Sequence, residues 1–155
     1  MSKIREQSHP KFYWFDSGVA RAAAGLLYDP PDRLWQGLAL ETLIYHELRV
    51  YNQTYKKHRA IHFYRTASGT EIDFVIETRK RRPGSKARIV CIEVKLSDKW
   101  KRQWERPMLS LRDSRQLTVE KMFGIYTGKR TYHYGEVHVL PVQNFLEALF
   151  KGEVF

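Results

Sequence analysis

At 155 residues, 43% hydrophobic and 14% aromatic, the chain has the size of one domain and enough apolar surface to bury a core, which excludes intrinsic disorder. Its single cysteine, Cys91, excludes an internal disulfide and fits a reducing, cytoplasmic setting. The polar start Met1-Ser2-Lys3-Ile4-Arg5 is not a signal peptide, and no apolar run nears the roughly 20 residues that a membrane span needs.

The predicted elements follow in chain order. Residues 1–10 read as a flexible leader to a single domain over 11–155, and Lys11-Phe12-Tyr13-Trp14-Phe15 as a short aromatic strand or extended segment. Asp16 or Ser17 caps an alanine-rich helix over 18–27, which Asp29-Pro30-Pro31-Asp32 ends; Asp32 then caps a longer helix over about 33–50. A strand over 60–65 leads through Ser68-Gly69 into two further strand patterns, 71–76 and 90–95, forming an antiparallel meander. Trp100, Trp104, Met108 and Leu111 keep helical spacing, with Pro107 kinking or splitting that helix. Short strands near 122–126 and 137–140 and a final helix over about 142–150 complete the order α, α, β, β, β, α, β, β, α.

The second and third strands carry the most informative charges. Ile72, Phe74 and Ile76 alternate with Glu71, Asp73 and Val75, and Val90, Ile92, Val94 and Leu96 alternate with Cys91, Glu93 and Lys95. Asp73, Glu93 and Lys95 are therefore expected on one face. An antiparallel hairpin turning near Pro83-Gly84 sets the two carboxylates nearly opposite, a spacing able to hold a metal ion. A two-residue Pro83-Gly84 turn would pair Arg82 with Ser85, the wrong parity for this register, so a three- or five-residue loop or a bulge is expected instead.

That hairpin is also where the net charge of +10 concentrates. Arg79, Lys80, Arg81, Arg82, Lys86 and Arg88 bring six positive charges with no acidic residue among them. The run suggests a nucleic-acid backbone as partner, with a solvated tip that keeps a sheet edge soluble as the alternative. On the long helix, Glu47 falls amid Leu40, Leu43, Ile44 and Leu48 on a helical wheel, where a carboxylate needs a cation or donors, while Glu41 lies at the margin of the apolar arc. The six histidines show no zinc-site spacing and read as structural.

A helical glutamate, an aspartate on one strand and Glu93-Val94-Lys95 on the next, in αβββαβ order, resemble the PD-(D/E)XK nuclease superfamily with its restriction-endonuclease-like α/β fold. A closer resemblance is to the C-terminal domain of unknown function of bacterial and archaeal P-loop ATPases. It is carried by Lys11-Phe12-Tyr13-Trp14-Phe15-Asp16-Ser17-Gly18-Val19, by 37–48, by Tyr64-Arg65-Thr66-Ala67-Ser68-Gly69-Thr70-Glu71-Ile72-Asp73-Phe74 and by Ile92-Glu93-Val94-Lys95. No phosphate-binding Gly-x-x-x-x-Gly-Lys-Ser/Thr loop is present, so the chain reads as a standalone relative or a separated C-terminal piece, without the ATPase domain.

The resemblance implies metal-dependent cleavage of DNA. Asp73 and Glu93 would bind Mg2+ or Mn2+, Lys95 would orient the attacking water, and Glu41, matched through Gly37 four residues earlier, would complete the site, with Glu47 as an alternative ligand. The alternative reading is a catalytically silent module on the same fold that docks on a P-loop ATPase and touches nucleic acid without cutting it.

Overall fold

The computed structural model describes residues 11–114 and 116–155, so the expected leader over 1–10 lies outside the described residues. A mixed α/β fold forms around one six-stranded sheet, flanked by helices on both faces. The helices are α1 (Ser17–Ala23), α2 (Arg33–Thr54), α3 (Arg106–Asp113) and α4 (Val142–Phe150); the strands are β1 (Ala60–Arg65), β2 (Glu71–Arg79), β3 (Arg88–Lys95), β4 (Thr118–Tyr126), β5 (Tyr132–Tyr134) and β6 (Val137–Pro141). The sheet order is β1-β2-β3-β4-β6-β5. The first three strands are the expected antiparallel meander; β3, β4 and β6 run parallel, and β5 pairs antiparallel at the edge.

Two apolar layers explain which helix covers which face. Phe74, Ile76, Val90, Ile92 and Val94 pack with Ile44, Leu48 and Tyr51 of α2 and with Phe145 and Leu149 of α4. Val75, Ile89, Cys91 and Met122 pack with Met108 and Leu111 of α3 on the other side. With both faces covered, central strands read as nearly continuous apolar runs, as β3 does from Ile89 to Ile92.

Several expectations are corrected. The first helix stops at Ala23 rather than 27, because Gly25 takes φ +71, a left-handed conformation that ends the helix before the prolines are reached. Asp16 does cap it, its Oδ1 accepting from the Val19 amide at 2.9 Å, and Asp32 caps α2 through the Trp35 amide at 2.7 Å. That second helix runs one turn beyond 50, to Thr54, since Tyr51 continues its buried stripe. Pro107 splits its element as expected, into a 3-10 turn over Arg102–Glu105 and α3, which accepts proline in its first turn. The three-residue strand β5 has no counterpart in the predicted order, being too short to show a period.

The β2–β3 hairpin resolves its parity conflict with a bulge. Phe74–Ile92, Val75–Cys91, Ile76–Val90 and Glu77–Ile89 pair in the expected register, which then shifts before Arg79–Arg88. The extra residue permits the two-residue Pro83-Gly84 turn after all, with Arg82 and Ser85 paired and Gly84 at φ +77.

A second bulge matters more for chemistry. Between the pairs His62–Val75 and Tyr64–Ile72, Asp73 and Phe74 together stand opposite Phe63. The simple alternation breaks there, and Ile72 packs with Val75 and Cys91 instead of with Phe74 and Ile76. Asp73 thus sits at an irregularity that re-aims its side chain instead of on a regular sheet face.

Candidate functional site: a carboxylate and lysine cluster

The last backbone pair between β2 and β3 is Phe74–Ile92, and beyond it side chains take over the hydrogen bonding. The Val94 amide donates to Asp73 Oδ2 at 2.8 Å, so Asp73 bridges the separating strands and is itself held by β3. Glu93 lies beside it; the two residues are 8% and 5% exposed, unusual burial for carboxylates. Lys95 pairs with Glu93 Oε1 and stands 3.8 Å from Asp73 Oδ2.

Helix α2 brings the third acid. Ile44, Leu48 and Tyr51 form its buried stripe, and Glu41 extends that stripe one turn toward the N-terminus, over the end of the sheet. Glu41 Oε1 accepts from Tyr13 Oη at 2.5 Å and from Lys11 Nζ at 2.9 Å. The same ammonium reaches Glu71 Oε1 at 2.6 Å and Asp73 Oδ1 at 3.6 Å. Lys11, Tyr13 and Glu71 are site residues that the charge pattern of the strands did not single out. The only signal for the first two was the segment from Lys11 to Val19, which carried the resemblance without a role for either side chain.

These groups line one open cleft of about 530 Å3 together with the apolar residues Phe12, Trp14, Trp35 and Leu38. Tyr13 is fixed by stacking on Tyr45, with ring centres 4.3 Å apart, and the Trp14 carbonyl lies 2.6 Å from His46 Nε2. Residues 11–14 therefore hold their place through side chains, although they form neither helix nor strand.

Burial dominates the electrostatics. Desolvation pushes the Glu93 carboxyl up to about 7, the charge of Asp73 adds to that rise, and Lys95 opposes it. Asp73 is also raised, by burial first and by Glu41, against Lys95, the Val94 amide and Lys11. Burial alone would lower both lysines, but their carboxylate neighbours outweigh it: Glu71 and Glu41 hold Lys11 above the ordinary lysine value, and Asp73 and Glu93 hold Lys95 above it. The Tyr13 hydroxyl is pushed up by burial and by Glu41, so it serves as a donor.

The other expected site residues lie elsewhere. Glu47 flanks the buried stripe of α2, about 120° around the helix from Glu41, and neither lines the cleft nor forms a hydrogen bond or ion pair among the described residues. Leu43, read as part of the apolar arc around it, is 43% exposed. Arg79, Lys80, Arg81, Arg82 and Lys86 stand exposed at the far end of the hairpin, and Arg88 is paired with Glu120 at 3.1 Å. No described histidine lines the cleft.

The fit of a divalent cation can be judged from the oxygens. Glu93 Oε2 is buried with no hydrogen-bond partner among the described residues, the condition that a cation would relieve. Among the described residues no three His, Cys, Asp or Glu side chains make a ready cage; the Lys11 ammonium stands between Glu41 and Asp73 instead. The donor set, all carboxylate oxygen, suits Mg2+ or Mn2+, which need only one or two protein carboxylates.

A family model described as "Domain of unknown function (DUF4143)" matches residues 36–145, a span that includes Glu41, Asp73, Glu93 and Lys95 and begins after Lys11 and Tyr13. No curated protein and no solved structure matches the chain. No helix among the described residues is long and apolar enough to cross a membrane.

Proposed function

The chain belongs to the DUF4143 family, and we propose that its cleft hydrolyses phosphodiester bonds of nucleic acid, taken to be DNA, in the manner of the PD-(D/E)XK nucleases that the sequence resembles. The observation that carries this reading is the convergence of Glu41, Asp73, Glu93 and Lys95, from a helix and two strands, in one open cleft with a Glu93 oxygen that has no partner among the described residues. A docking surface has no need of such an arrangement.

Asp73 and Glu93 would hold a Mg2+ or Mn2+ ion, which when bound neutralises phosphate charge and activates water. Lys95, fixed between the two acids, would orient the attacking water and offset charge developing on the phosphate. Glu41, with Tyr13 and Lys11 on its Oε1, keeps the helix side of the cleft closed around Asp73. The exposed arginines of the hairpin supply backbone contacts away from the scissile bond. Cys91, buried and with its thiol pushed up to about 12 by burial, suits a reducing cytoplasmic location within the same proposal.

The test is calorimetric titration of Mn2+ and Mg2+ into the wild type and Asp73→Asn, followed by plasmid nicking with the same samples. Ion binding and nicking that both disappear in the variant are expected. A folded wild type that binds neither ion would sink the reading.

One observation favours the rival reading, a silent module that docks on a P-loop ATPase. Phe12 at the cleft, and Phe15, Leu27, Tyr28 and Leu34 in the same stretch of chain, are all more than half exposed, large apolar side chains of the kind that partners cover. A folded wild type that nicks no DNA with either ion but binds a P-loop ATPase would establish that alternative.

A further inference from the structure

Four carboxylates meet in the cleft, but they are not equally free. Glu41 Oε1 and Glu71 Oε1 are both taken by Lys11, at 2.9 and 2.6 Å, and Asp73 Oδ1 faces the same ammonium at 3.6 Å. Glu93 Oε1 pairs with Lys95, which leaves Glu93 Oε2 as the buried carboxylate oxygen without a partner among the described residues. An ammonium has three donors and one positive charge, and Lys11 directs that charge to three acids from two elements.

From this geometry we propose that Lys11 is a resident cation of the site, filling the position between Glu41, Glu71 and Asp73 and leaving room for a single divalent ion on the Asp73 and Glu93 side. The inference rests on the divalent-cation reading above and adds to it the number of ions and the residue that sets it. Charge balance supports it. With the acids ionised, as they must be to hold an ion, Glu41, Glu71, Asp73 and Glu93 against Lys11 and Lys95 leave two negative charges, which one divalent ion cancels and two would overshoot. A second ion would have to displace the ammonium or approach it within a few ångströms in a half-buried cleft, where repulsion is weakly screened.

Lys11 is suited to this role by its anchorage. Tyr13 stacked on Tyr45, and the Trp14 carbonyl against His46, fix the segment on α2 two and three residues away, so the ammonium is positioned without belonging to a helix or strand. The family match begins at residue 36, so the resident cation lies outside the matched span although its three acids lie inside it.

The experiment is calorimetric titration of Mn2+ into the full chain as wild type, Lys11→Met and Lys11→Arg, with Tm measured in chelator and in Mn2+. The wild type should bind one ion. Lys11→Met should bind a second ion, or the first at least about tenfold more tightly, and its Tm should fall in chelator and recover with Mn2+. Lys11→Arg, which keeps the charge, should retain one ion at wild-type affinity.

Two ions in the wild type, or a Lys11→Met titration indistinguishable from it, would overturn the proposal while leaving the cation site standing. Lys11→Met that is unfolded in chelator and not rescued by Mn2+ would overturn it as well. Absence of binding in all three proteins would remove both the proposal and the reading beneath it.

Discussion

The two ends of the β2–β3 ribbon carry opposite charge in opposite surroundings. At one end Asp73 and Glu93 are buried, converge with Glu41 and are cross-linked by Lys95 and Lys11. At the other, six strand residues or about 20 Å away, Arg79, Lys80, Arg81 and Arg82 stand in solvent around the Pro83-Gly84 turn. Burial raises the carboxyls of Asp73 and Glu93 and fixes their geometry. Exposure leaves the second a diffuse, salt-screened field that can attract a polyanion without orienting it. The same density of charge along the chain therefore has different chemical meaning at the two ends, and a nucleic acid touching both would have to span the sheet.

The sharpest way to break this contrast is at the buried end. Asp73→Asn should abolish ion binding and lower nicking by about 100-fold or more, with circular dichroism showing the fold retained; wild-type nicking would show that the buried acids have no chemical role. At the exposed end, replacing Arg79, Arg81 and Arg82 together by Ala should weaken binding of a DNA duplex at moderate salt. It should also reduce the slope of log K against log salt by about 0.9 for each phosphate that is no longer neutralised, and leave Tm nearly unchanged. A large fall in Tm would mean that the hairpin tip is structural.

A smaller effect is expected from pH. Because Glu93 titrates near 7 in the folded chain and near 4.5 ordinarily, the folded state holds a proton that the unfolded state has released. Its contribution to stability is complete below about pH 4.5 and is lost as pH rises through 7, and Asp73, also raised, acts in the same direction. In chelator, Tm should fall by a few degrees between pH 5 and 8, and Glu93→Gln should flatten that dependence. A Tm rising over the window in the wild type would contradict the burial argument. The smallest effect belongs to Glu47→Gln, which should leave ion binding unchanged and alter stability by no more than about 0.5 kcal/mol, whereas Glu41→Gln should disturb the ion titration through its loss of charge beside Lys11.

Much of the scaffold was legible in the chain. The meander, the caps at Asp16 and Asp32, the split at Pro107 and the final helix all follow from local rules of period, capping and backbone restriction that operate within a few residues. The near-opposition of Asp73 and Glu93 was legible too, because the alternating apolar faces of the two strands set their register, whereas counting from the turn alone would have missed it by the one residue of the bulge. The wheel of α2 was less informative. It ranked Glu47 above Glu41 by apolar neighbours, but which arc of a helix is buried depends on the sheet it meets, and the stripe through Ile44, Leu48 and Tyr51 favours Glu41.

Sequence by itself determined the elements apart from β5, the candidate acids and the basic turn, since each rests on neighbours along the chain. Tertiary structure decided what no short window encodes. The bulge at Asp73 and Phe74 appears only against β1, Glu41 reaches the strand acids only through the packing of α2, and Lys11 enters the cluster from a segment without regular structure. These groups are far apart along the chain, and their geometry is set by how layers pack, where local periodicity carries no information.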